Sequence, residues 1–159
     1  DAILVASGRL DPTTGGPTIR PAASNDYAYV QDSLRRSVYL PALRNSLPEF
    51  LEAFNLADPS RTTGRRDLGT VAPQALLLLN HPFDIEEAEH AAKRILAEAS
   101  GEDARLELAT FRVLGRAPLA GERAIASSLL ASVPPDEELE AWSTILQGLF
   151  ASLDFRYLE

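Results

Sequence analysis

The sequence predicts a mainly α-helical protein: a small antiparallel helical bundle preceded by an irregular, loop-rich N-terminal segment with one short strand. Three observations carry this. From about residue 71 onward, apolar side chains recur at helical spacing. These stretches are closed by Gly101, Gly115 and Pro134-Pro135 with little chain between them, and short connections place neighbouring helices antiparallel. Residues 9–70 hold turn formers and arginines without a sustained period.

The elements follow in chain order. Residues 1–8 read as the last two turns of a helix stopped by Gly8. Asp11-Pro12-Thr13-Thr14-Gly15-Gly16-Pro17 is dense in turn formers. Arg36-Ser37-Val38-Tyr39-Leu40-Pro41 alternates β-branched and aromatic residues before a proline, which predicts the short strand. Pro48 suits a first helical turn, and Phe50, Leu51, Phe54 and Leu56 give a short amphipathic helix ended by Asp58-Pro59-Ser60. A second polar loop occupies residues 60–70. An apolar helix over 72–79 begins at Pro73 and stops at Asn80. Asp84 with Glu87 reads as an N-cap pair, leading a helix with Ala88, Ala91, Ala92, Ile95, Leu96 and Ala99 on one face. The next helix, from about Glu102, carries Leu106, Leu108, Phe111 and Leu114 and is stopped by Gly115. After Pro118 come Ile125, Leu129, Leu130 and Val133. Pro134-Pro135-Asp136 starts the last helix, where Trp142, Ile145, Leu146, Leu149, Phe150 and Leu153 keep strict helical spacing.

The 159 residues fit one domain and can bury a core without staples. The irregular part spans 1–70 and the bundle 71–159. The chain lacks cysteine, which excludes disulfides, thiolate metal sites, a cysteine nucleophile and covalent c-type haem attachment within it. The longest apolar run, Ala75-Leu76-Leu77-Leu78-Leu79, is far short of the roughly 18 residues of a membrane span. The lack of methionine and the helix-like opening are expected of a fragment of a longer chain. Residues 1–70 carry eight Arg against eight acids, whereas 71–159 carry seven basic groups against fifteen acids, net −8. Such an acidic half repels phosphate backbones and anionic lipid surfaces, so neither nucleic acid nor membrane insertion is expected.

No catalytic constellation stands out. Glu87-Ala88-Glu89-His90 contains one Glu-x-x-His, but a di-metal site needs it twice, and the only histidines are His81 and His90. No metal site and no cofactor is therefore expected in the chain. His81 sits in a turn without a nucleophile elbow nearby. Gly15-Gly16 matches no phosphate loop and reads as a tight turn. Arg35, Arg36, Arg44, Arg61, Arg65 and Arg66 lie close in sequence beside Tyr39, Asn45 and Gln74. Guanidinium forks clamp carboxylates or stack on aromatic and sugar rings. Two readings stand: these arginines tie the irregular segment to acidic helices, or they form a site for an anion or glycan. For the second, the candidate ligand-binding residues are Arg36, Tyr39, Arg44, Asn45, Arg66, Gln74 and Asn80.

Arg36-Ser37-Val38-Tyr39-Leu40-Pro41, Arg44-Asn45, Arg66, and Thr70-Val71-Ala72-Pro73-Gln74-Ala75-Leu76 through Leu79-Asn80 resemble the C-terminal part of the domain-of-unknown-function 1553 family, also called planctomycete PSD-one. Ser7-Gly8-Arg9-Leu10, Gly15-Gly16-Pro17, Leu114-Gly115-Arg116 and the closing stretch from Trp142 to Phe155 extend the likeness along the chain. The resemblance implies an exported bacterial protein, periplasmic or cell-surface, with several domains and often a c-type cytochrome domain upstream. It implies no established activity. The expected role is an interaction or scaffold module whose partners are upstream domains of the same chain or another protein; the alternative is a binding domain for polysaccharide or another anionic ligand.

Overall fold

The computed structural model of the protein describes residues 1–19, 29, 32–60, 62, 64 and 71–157. Among these, the helices are α1 (Ala2–Ser7), α2 (Glu49–Ala53), α3 (Val71–Asn80), α4 (Pro82–Glu98), α5 (Glu102–Leu114), α6 (Ala120–Ser132), α7 (Glu138–Ala151) and α8 (Leu153–Arg156). The chain divides into two units: Asp1 with Leu10–Leu77, and Ala2–Arg9 with Leu78–Glu159.

The second unit is a helical bundle built on the pairing of α4 with α7, its largest interface. The side of α4 turned inward is small: Ala88, Ala91 and Ala92, with Ile95. Small residues let the two axes approach, and α7 fills the space with Trp142, Leu146, Leu149 and Phe150, all buried. Burying a side chain of this kind contributes about 1.5–3 kcal/mol. Gln147 Nε2 donates to Leu79 O at 2.8 Å and so ties α7 to the carbonyl end of α3. Gly115, at φ 70°, closes α5 with a left-handed residue whose amide returns to Phe111 O.

In three places the inward face is not the one with the large apolar residues. In α5 the core residues are Leu106, Ala109 and Thr110, while Phe111 is 67% exposed. In α6 only Ala126 is fully buried and Ile125 is 73% exposed. Hydrophobicity marks a helix but does not choose its inner side when small residues fit the neighbour better. The last helix also stops early. The Ser152 hydroxyl accepts from Phe155 N at 3.3 Å and opens α8, so Leu153 is exposed and Phe155 takes its place, 5.5 Å from the Phe150 ring.

In the first unit the predicted strand is a single 3-10 turn, Ser37–Tyr39. Asp1 Oδ1 accepts from Ser37 N at 2.6 Å, capping that turn from outside, which local β-propensity does not register. Among the described residues pairing here is confined to isolated bridges, Asp11 with Arg35 and Leu43 with Ser46. Pro48 caps α2, whose Phe50 ring stacks with Phe54 at 5.2 Å.

Candidate functional site

Gly8, at φ 80°, ends α1 and reverses the chain, with Gly8 N donating to Val5 O and Arg9 N to Leu4 O. The reversal delivers Ser7 and Arg9 to α4. Ser7 Oγ donates to Glu87 Oε2 at 2.5 Å, and Arg9 Nη1 lies 3.1 Å from Glu87 Oε1 while also pairing with Glu86. Glu87 is 1% exposed. A buried carboxylate is tolerated only when its charge is met, and here one oxygen accepts from Ser7 while the other faces the Arg9 guanidinium.

Asp84 lies one turn earlier on α4 and is 0% exposed. No protein group among the described residues donates to either of its oxygens. Two effects compete. The positive end of the helix favours its negative form by about 0.3–1 kcal/mol. Loss of hydration disfavours that form by several kcal/mol, roughly, and wins. Burial, reinforced by the charge of Glu87, pushes the Asp84 carboxyl up to about 7. The cap expected of Asp84 and Glu87 is made instead by His81, whose Nδ1 accepts from Phe83 N at 3.2 Å. Asp84 and Glu87 face the interior of the bundle, where α4 packs on α7 and α1.

Glu87 and His90 do not converge. Glu87 is buried against α1, whereas His90 is exposed, its Nε2 3.9 Å from Glu86. Among the described residues no group of three or more His, Cys, Asp or Glu is placed to hold a metal ion.

The residues proposed for ligand binding go to separate contacts. Arg36 Nε donates to Asp1 Oδ2 at 3.2 Å. Tyr39 Oη accepts from Gly15 N at 3.1 Å. Arg44 Nε donates to Ser60 Oγ at 2.9 Å, and with Asn45 it forms the corner closed by Ser46 N on Leu43 O. Gln74 is buried, its Nε2 3.3 Å from Ala53 O. Asn80 is the last residue of α3 and belongs to the second unit. Arg66, like Arg61 and Arg65, lies outside the described residues.

The arginine that organises the first unit is Arg35. Its Nε and Nη2 donate to Thr13 O at 3.2 and 3.0 Å, and Nη2 also reaches Gly15 O at 2.5 Å. Its guanidinium carbon stands 4.0 Å from the centre of the Tyr39 ring. One fork thus fixes the glycine turn while the ring beneath holds the fork flat.

In the second unit a cleft of about 310 Å³ lies among Arg105, Glu138, Trp142 and the Pro134-Pro135 turn. Arg105 is committed there to Ala99 O and Glu138. Among the described residues no helix is long and apolar enough to cross a membrane.

Fold and clasp together define an all-helical module in which a short first helix is locked to the fourth through a buried glutamate. A family model described as PSD1, protein of unknown function (DUF1553), matches residues 1–130, and the chain belongs to that family. The match runs from α1 into α6 and so takes in Ser7, Arg9, Asp84 and Glu87. No curated protein and no solved structure matches the chain.

Proposed function

We propose that the chain is an interaction or scaffold module of an exported multidomain bacterial protein, docking on the other domains of that protein. The observation that supports this is the outer face of α6. Ala124, Ile125, Ser128, Leu129 and Ser132 line a shallow groove of about 470 Å³ with no charged residue in it. Residues 71–159 are otherwise strongly acidic, so an uncharged stretch with a 73% exposed isoleucine favours an apolar protein partner. Export, and a c-type cytochrome domain elsewhere in the protein, rest on the family resemblance alone.

A photo-reactive residue at position 125 of the full-length protein tests the reading. Cross-links from that position into another domain are expected, and Ile125→Ser is expected to loosen the domain contact while leaving the melting temperature of this chain within about 1–2 °C, as surface changes do. Cross-links to solvent-quenched products alone would sink it.

The second reading, binding of polysaccharide or another anionic ligand, draws on Arg36 and Arg44, which are both exposed in the first unit. Their contacts with Asp1 and Ser60, and the commitment of Arg35 to carbonyls, weigh toward a structural use. A melting-temperature rise with sulfated or uronic-acid glycans, lost in both Arg36→Ala and Arg44→Ala, would reverse that weighting.

A further inference from the structure

We infer that the junction of α1 with α4 is a pH-sensitive clasp, in which Asp84 is a neutral acid while Ser7 and Arg9 close on Glu87, and ionisation of Asp84 frees α1.

The geometry leads there directly. Asp84 is enclosed and has no donor among the described residues, one helical turn from a second carboxylate that is itself enclosed. Two adjacent buried negative charges would share a single cation, Arg9, which already serves both Glu86 and Glu87. Among the described residues no other packed element supplies relief. The stretch of α7 from Ala141 to Ala151 carries no ionisable side chain; its first-turn Glu138 pairs with Arg105. From α5, Arg112 meets α4 at Glu98, the far end, and Asp103 and Glu107 are held by Arg123. Asp154 of α8 is held by Arg116. On α4 itself, His81 caps the start and His90 stands beside Glu86.

A newly charged Asp84 therefore gains most by reaching water. α4 makes its most extensive contacts with α7 and α1. The α7 interface is the larger and buries Trp142, Leu146 and Phe150, whereas α1 is six residues long and contributes Ile3, Leu4 and Ala6. The cheaper route to hydration is to lift α1. The closed state binds the proton and the open state does not, so opening is favoured as pH rises from an ordinary aspartate value, and levels off above about 7.

The test is amide hydrogen exchange on the 159-residue chain, corrected for intrinsic rates, with the carboxyl carbon of Asp84 followed by NMR. Between pH 4 and 7 the protection of α1 amides should fall by about tenfold per pH unit while α6 amides hold theirs. Asp84→Asn, which keeps a neutral side chain of the same shape, should flatten the α1 profile. Equal pH profiles in the two proteins would overturn the proposal. So would parallel loss of protection in every helix, or a folded-state carboxyl that titrates near pH 4. Should the asparagine variant not fold, the contrast between α1 and α6 and the carbon titration decide the matter.

Discussion

Ser7 and Glu87 stand 80 residues apart in sequence, yet the hydroxyl of one donates to the carboxylate of the other at 2.5 Å with both side chains buried. Ser7→Ala removes a donor and leaves a buried acceptor unmet. A loss of about 1–3 kcal/mol is expected, read as a lower denaturant midpoint with an unchanged slope. A change under about 0.5 kcal/mol would show that Arg9 alone satisfies Glu87.

Gly8 and Gly115 both take left-handed backbone angles, at φ 80° and 70°, but their surroundings differ. A Cβ at Gly115 meets nothing within 4 Å, while one at Gly8 would stand 2.9 Å from Arg94 Nη1. Alanine at either position bears the backbone strain, about 1 kcal/mol. Gly8→Ala should cost more, because it also displaces the Arg94 fork that donates to Val5 O. Thermal melts of the two variants check this, and in an Arg94→Ala background the excess should vanish.

The helices at 82–98, 102–114 and 138–151 were legible because each combines a strong period with a glycine or proline stop. What periodicity does not carry is which side faces in: Ala109 and Ala126 are buried while Phe111 and Ile125 stay exposed. The Ser37–Tyr39 turn was hidden for another reason, since its cap comes from Asp1, far back in the chain. The clasp was hidden in the same way. Asp84 and Glu87 carry the spacing of a helix cap, and only the arrival of Ser7 and Arg9 turns Glu87 into an anchor. The sole trace was Ser7-Gly8-Arg9 among the family-like blocks. Among the described arginines of that set Arg35 makes the most contacts, and it is not one of the candidate ligand residues.

Glu122 should govern part of the acid limb of stability. Its carboxylate accepts from Arg116 at 2.7 and 2.9 Å and from the Leu119 amide at 2.7 Å at the start of α6. Arg116 first, and the Leu119 amide with it, hold its carboxyl below the ordinary value of 4.5. The folded state thus releases this proton more readily than the unfolded one. The stabilisation is complete above pH 4.5 and is lost as pH falls through the lower folded value. Glu122→Gln should be less stable than the native chain at pH 6, and the gap should narrow by pH 3. A constant gap across that range would assign the effect to packing.

Arg35→Lys keeps the charge and loses the fork. An ammonium cannot reach Thr13 O and Gly15 O together while lying flat on Tyr39. Exchange at the Gly15 amide, which donates to Tyr39 Oη, should quicken, with a global stability loss under about 1 kcal/mol, since these contacts lie near the surface. Unchanged exchange at Gly15 would mean the turn holds itself.

The second unit is interrupted: α1 precedes Leu10–Leu77 in the chain, and its docking partner α4 follows them. During synthesis α1 leaves the ribosome before α4, with Ile3 and Leu4 uncovered. At roughly 5–20 residues per second, several seconds pass before Glu87, 80 residues after Ser7, is made. α1 therefore finds its place only after α4 has emerged, and until then the nascent chain carries an unpaired apolar helix that a chaperone can hold.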